Sequence, residues 1–234
     1  MDGKDDLVGV SDPLELWNPF PVAEVPRPLV LVGGIVRESG GFDSGAAKIA
    51  YLDGAIDEVE ALPPGLYEAM CPRLRPSRSS LRLRVVAVRS EVAPFLTDRG
   101  DQELPVWEVT LSHFDGVVTI LDPGTVARAW HPKGWGSTTQ PGPFVTAGLH
   151  EDGSTLTLRF TGTPRAYADY RTAEVRESST AVLMVPIAVD HPNVTGARLA
   201  YAERREVTEA LAQPLGARVL LTKDGFPVPV TPAA

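Results

Sequence analysis

Cysteine occurs once in this chain, at Cys71. A lone thiol can form neither an intrachain disulfide nor a four-cysteine zinc site, which excludes the small, disulfide-stapled secreted class. Lysine is confined to positions 4, 48, 133 and 223, and asparagine to positions 18 and 193. Basic residues as a whole are in the minority, with 22 Lys and Arg against 30 Asp and Glu and a formal charge of −8. Phosphate backbones are held by basic faces, so this balance argues against nucleic acid as the partner. Nowhere do about 18 apolar residues run together, and the opening MDGKDDLVGVSDPLELWNPF has no basic start followed by an apolar stretch. These absences predict a cytoplasmic chain with no membrane partner.

Proline and glycine, 22 and 21 of them, are by contrast plentiful and spread along the whole length. Such punctuation fits many short strands and turns better than long helices. The clearest stretch is LPVWEVTLSHFDGVVTIL (104–121), where apolar and polar residues alternate on both sides of Asp115-Gly116. Asp-Gly supplies the positive φ angles of a type I′ turn, which predicts a β-hairpin with Trp107, Val109 and Leu111 facing a core. Asp152-Gly153 and Asp224-Gly225 give two further hairpin signals of the same kind. Strands are also expected over 81–88, 172–178, 180–189 and 206–211. LVLVGGIV (29–36) reads as a strand buried on both faces, with Gly33-Gly34 marking a bulge.

Helical spacing is rarer. Ile49, Leu52, Ile56 and Val59 predict a helix from about Ser44 to Asp53 or Val59, capped by Asp43 or Ser44 and open to early termination at Gly54. Single helical turns are expected over 66–70, 90–96 and 126–130. The sum is a mainly β fold with minor α (α+β), its antiparallel hairpins forming a sandwich- or barrel-like sheet, as one body or two related subdomains. Boundaries fall at 1–28 for an extended N-terminal arm pinned by Leu14, Leu16, Trp17 and Phe20, 29–130 for an N-terminal α+β subdomain, 131–143 for a linker or long loop, and 144–234 for a C-terminal β subdomain.

Four segments taken together, TDRGDQELPVWEVTL, LTLRFTGTP, YRTAEVRESSTAVLMVPIAV and AYAERREVTEALAQPLGARVLLTKDGFPVPV, resemble a group of proteins from high-GC actinobacteria. Members of that group look like a polar-Arg-Gly turn, then Pro-x-Trp and a strand, then a terminal Arg-x-Val-Thr motif leading to Pro-Leu-Gly-x-Arg-Val-Leu. The resemblance spans roughly residues 95–122 and 153–230 and implies lineage rather than activity. Many members carry an export or membrane segment that has no counterpart here, so their location does not transfer.

Familiar catalytic patterns do not occur. Histidines 113, 131, 150 and 191 form no HxH, HExxH or HxxxH pair, and a metal site would have to draw on distant segments such as His150 with Asp152 or Asp190 with His191. GxSxG, SxxK and glycine-rich nucleotide loops are missing, and Ser39 and Ser44 are explained by a turn and a helix cap. The reading is therefore a non-enzymatic binding or accessory protein, without metal or cofactor, that recognises a protein or small ligand through its loops. The alternative is a hydrolase-like enzyme whose site assembles from separated carboxylates and histidines. Candidate contact residues are Trp130, His131, Lys133 and Trp135 in one aromatic loop, and Tyr167, Tyr170 and Arg171 before a strand. The arginine-rich PRLRPSRSSLRLR (72–84) reads as a solvated loop and strand face. Cys71, beside it, reads as a small buried hydrophobe in preference to an activated thiol.

Overall fold

The computed structural model describes residues 12–71, 78, 80–133, 145–192 and 202–233. Its fold is mainly β with minor α, built from curled sheets with few helices. The chain divides into two compact units: one takes Gly34–Phe95 and Asp101–Ala129, the other Met1–Gly33, Leu96–Gly100 and Trp130–Ala234. The N-terminal arm and the bend at 96–100 thus belong with the C-terminal strands.

In the first unit a five-stranded sheet runs in the order β1 (Val36–Phe42), β5 (Phe114–Leu121), β4 (Gly100–Leu111), β3 (Leu83–Thr97) and β2 (Ile56–Asp57). The helix α2 (Gly45–Leu52) starts where expected, because the Ser44 hydroxyl accepts the Ala47 amide at 3.2 Å. It stops at Gly54, whose φ of +71° is the left-handed conformation that ends helices. That early stop changes which face is buried. Ala47, Ala50 and Tyr51 enter the core, whereas Ile49 and Leu52 face solvent and Ile56 is buried from β2. Segment 66–70 is the helix α3, and 90–96, read as a helical turn, instead continues β3.

The 104–121 hairpin exists with a different turn. Val106 pairs with Leu121 and Val109 with Val118, and the chain reverses at Ser112-His113, where His113 adopts φ +62°. Asp43 holds that corner, donating its amide to the His113 carbonyl at 3.2 Å and placing Oδ2 at 2.8 Å from Nδ1. Asp115-Gly116 lies inside β5, and its glycine serves a close approach of two backbones. Gly116 (φ +142°) faces Gly40 (φ +145°) across the β1–β5 pair, and a Cβ at either would lie 1.8 Å from a carbonyl oxygen opposite. Next to them Phe42 pairs with Phe114, their rings 4.8 Å apart. Val109 and Leu111 are buried as expected; Trp107 is half-buried and its indole N–H donates to Asp122 Oδ2 at 3.1 Å. Asp122 also caps the short helix α4 (Pro123–Arg128) through the Thr125 amide.

The second unit holds two sheets. One runs β10 (Glu203–Ala210), β7 (Thr155–Gly162), β6 (Val145–Leu149), β12 (Val230–Pro232), and the other β11 (Val219–Leu221), β9 (Ala181–Asp190), β8 (Ala168–Glu177). Leu156, Leu158, Phe160, Val207, Val182 and Met184 pack between them. Ile187 and Val189 at the far end of β9 are exposed, but its opening residues 181–184 are buried on both faces, for Ala181 and Leu183 point the other way. There they meet Leu14, Trp17 and Phe20 of the arm, within which Pro13–Trp17 forms the helix α1. By contrast, of Leu29–Val36, expected to be such a strand, residues 29–35 form no strand beyond one bridge, Leu31 to Thr97, and Val36 opens β1. Asp152-Gly153 turns between β6 and β7 as predicted. Asp224-Gly225 also reverses the chain, with the Thr222 amide on the Phe226 carbonyl and the Val228 amide on the Leu220 carbonyl, but β12 beyond it pairs in parallel with β6, so the sheets are mixed and not purely antiparallel.

Side chains join β8 to β10. The Glu209 carboxylate accepts the Ala173 amide at 2.7 Å and the Thr172 hydroxyl. The Arg205 guanidinium donates to the carbonyls of Ala168 and Thr163 at 3.1 and 3.3 Å. Further along, Glu177 accepts the Ala212 amide and pairs at 2.7 Å with Arg218, which also donates to the carbonyls of Gln213 and Pro214 at 2.7 and 2.9 Å.

Two stability outcomes follow. Gly116→Ala is expected to cost at least the 1–3 kcal/mol or so of a strained backbone position, read by denaturant unfolding; an unchanged midpoint would remove the close approach from the list of constraints. Arg218→Ala leaves Glu177 and several carbonyls without their buried donor, with an expected loss on the order of 3–5 kcal/mol. A loss under about 1 kcal/mol would show that water replaces the guanidinium.

Candidate functional site

The loop and turn residues singled out in the sequence are spread over separate environments. Trp130 is half-buried in the arm cluster, its ring 4.8 Å from Trp17 and 5.1 Å from Phe20, and its amide donates to the Leu29 carbonyl. His131 and Lys133 are exposed, and Trp135 lies outside the described residues. Tyr167 is half-buried at the turn before β8, with its amide on the Pro164 carbonyl. Tyr170 packs edge-on to Phe160 at 4.9 Å, accepts the Thr163 amide through its hydroxyl at 3.1 Å, and has the Arg205 guanidinium 5.1 Å from its ring centre. Gly162 makes room for this, since a Cβ there would sit 2.9 Å from both the Tyr170 hydroxyl and the Phe160 ring. Arg171 is exposed and paired with Asp169 at 2.9 Å.

The histidines are likewise dispersed. His150 Nε2 meets the Thr157 hydroxyl at 2.9 Å, while Asp152 is occupied by its own turn, accepting the amides of Ser154 and Thr155 at 2.8 Å. Those bonds and the Thr155 hydroxyl bring the Asp152 carboxyl down to about 2. His191 lies 3.5 Å from Asp169. Among the described residues no group of three His, Cys, Asp or Glu side chains is arranged to hold a metal.

A different place in the second unit gathers free polar groups. An open concavity of about 570 Å³ is lined by Thr146, Arg159, Thr161, Arg165, Arg204 and Glu206, with Phe160 and Arg205 behind. Strand register explains the grouping. Thr146 pairs with Arg159, Arg159 with Glu206, and Thr161 with Arg204, so all five project from one face of β6, β7 and β10. The opposite face carries Leu158, Phe160 and Val207 into the core. Two of the arginines are already committed. Arg205 is buried and bonded to carbonyls, and Arg165 pairs with Glu203 at 3.2 Å. Arg159 and Arg204 are exposed, and neither they nor Glu206 form a hydrogen bond or ion pair with a described residue. In a chain of net charge −8 this is a local excess of positive charge without a partner among the described residues. It sits on strand faces and not in an irregular segment. The alternations Thr157-x-Arg159-x-Thr161 and Arg204-x-Glu206-x-Thr208 were visible signals, but only the register brings them side by side.

No protein-family model, curated protein or solved structure matches the chain. No helix of the described residues is long and apolar enough to cross a membrane.

Cys71 is the one thiol of the chain. It is buried in the core of the first unit, and burial pushes its thiol up to about 11. A disulfide reagent at pH 8 is therefore expected to leave native Cys71 unmodified and to label it at once in denaturant; rapid labelling of folded protein would contradict its burial.

Proposed function

We propose that this chain is a non-enzymatic binding protein that captures an anionic ligand in the concavity on β6, β7 and β10. The observation that carries the reading is the pair of guanidinium groups, Arg159 and Arg204, that stand on one face of the sheet without a partner among the described residues. A guanidinium presents a planar fork of donors matched to oxyanions, and holding it on a strand fixes the geometry better than a loop does. The described lining contains one carboxylate, Glu206, and no histidine, which suits ion pairing better than acid–base chemistry. The exposed His131, Lys133 and Arg171 are secondary contacts open to a larger partner. The setting we propose is the cytoplasm, in keeping with the composition, and the lineage is the actinobacterial group that the chain resembles.

The test is ligand-induced stabilisation. A ligand at a hundredfold excess over its Kd adds about 2.7 kcal/mol to the folded state, so the thermal midpoint should rise with at least one member of a panel of citrate, phosphate, sulfate and oligoglutamate. The rise should shrink with added salt and vanish in an Arg159→Gln/Arg204→Gln double variant. A double variant stabilised as much as the parent, or a panel without effect on either, would overturn the reading.

A further inference from the structure

The concavity's donor set is more specific than its charge. Each of Arg159 and Arg204 offers a fork, and the hydroxyls of Thr146 and Thr161 stand on the same face without a partner among the described residues. Directly opposed residues on neighbouring strands have Cβ atoms about 5 Å apart and diagonal ones roughly 7–8 Å. Arg159 and Arg204 are such a diagonal pair, Arg159 lying opposite Glu206 and Arg204 opposite Thr161. Long side chains at that spacing can converge on one ligand group.

A carboxylate has two oxygens, and one guanidinium fork satisfies them. Two forks and two hydroxyls exceed that demand and match a phosphoryl group, which has three terminal oxygens and up to two negative charges. Glu206 adds a second selection. It stands directly opposite Arg159 without pairing to it, and as a carboxylate it only accepts hydrogen bonds. A bare anion is repelled by it, whereas a ligand that brings its own hydroxyl donor is rewarded.

We infer that the ligand of this concavity is a phosphate monoester of a small hydroxylated molecule. Arg159, Arg204, Thr146 and Thr161 hold the phosphoryl oxygens, and a ligand hydroxyl donates to Glu206. This deepens, and rests on, the reading of the concavity as an anion site. Arg165 and Arg205 supply background positive potential, but their donors are engaged by Glu203 and by backbone carbonyls.

The experiment is calorimetric titration of the full chain with glycerol 3-phosphate, inorganic phosphate and citrate at constant ionic strength. Glycerol 3-phosphate should bind more tightly than inorganic phosphate, and Arg159→Gln and Arg204→Gln should each weaken it tenfold or more. Both positions are exposed, so the variants should keep the parent's thermal midpoint, which is measured alongside. Glu206→Ala should tighten inorganic phosphate while reducing the preference for glycerol 3-phosphate. If that preference is unchanged, the role of Glu206 falls. If citrate binds in an arginine-dependent way and neither phosphate does, the phosphoryl inference falls while the anion site stands. If no anion shows arginine dependence, both fall together.

Discussion

The second unit depends on how the gap between β8 and β10 is closed. These strands flank each other at the junction of two sheets, and charged side chains reach across to backbone groups there. Glu209 takes an amide of β8, Arg205 gives to the carbonyl that opens it, and Glu177 takes the amide of Ala212. Backbone groups left without partners in such a seam would each cost on the order of 1–3 kcal/mol. A charged partner also makes the stronger kind of bond. The seam is therefore specific in a way that apolar contact is not, because each ion must find its own carbonyl or amide. Arg218 extends the same logic to the turn before β11. One guanidinium gathers the carbonyls of 213–215 and the carboxylate of Glu177 and so fixes a loop that has no ladder of its own.

That closure also decides which polar side chains remain on the outer face. With Phe160, Leu158 and Val207 turned into the core and Arg205 spent on the seam, alternation along β7 and β10 leaves Arg159, Thr161, Arg204 and Glu206 on the outer face. Tyr170, placed between Phe160 and Arg205, supports this arrangement from behind. Packing accounts for its contacts, as it does for those of Trp130 in the arm cluster. Trp130 and Tyr170, two of the aromatic residues that looked like recognition anchors, thus pack against neighbouring rings, and Arg159 and Arg204 on plain strands are left without a hydrogen-bond or ion-pair partner among the described residues.

In the first unit the governing constraint is a close approach of two backbones. Gly40 and Gly116 are opposed, and the carbonyls of Asp115 and Ser39 occupy the places where their side chains would begin. An Asp-Gly pair between two alternating segments carries the same local signal whether it turns the chain or sits inside a strand against another glycine. Residues 39–41 gave no hint of strand structure by propensity, and they form one because β5 offers a glycine there. The buried face of α2 shifted for a related reason: Gly54 ended the helix before Ile56 could join it.

By itself the sequence determined the β-rich class, the capped start of α2, the turn at Asp152-Gly153, the burial of Cys71 and the anchoring of the arm through Leu14, Trp17 and Phe20. All of these follow from local chemistry: alternation, a cap, a positive φ, or an apolar side chain that must leave water. The tertiary structure alone decided the reversal at Ser112-His113, the parallel pairing of β12 with β6, the two-sided burial of β9 against the arm, and the meeting of Arg159 with Arg204. The last three are pairings between residues far apart in the chain, and the first is a local turn held from outside the hairpin by Asp43; a strand's own pattern says which side chains share a face but not which neighbour's face lies beside it.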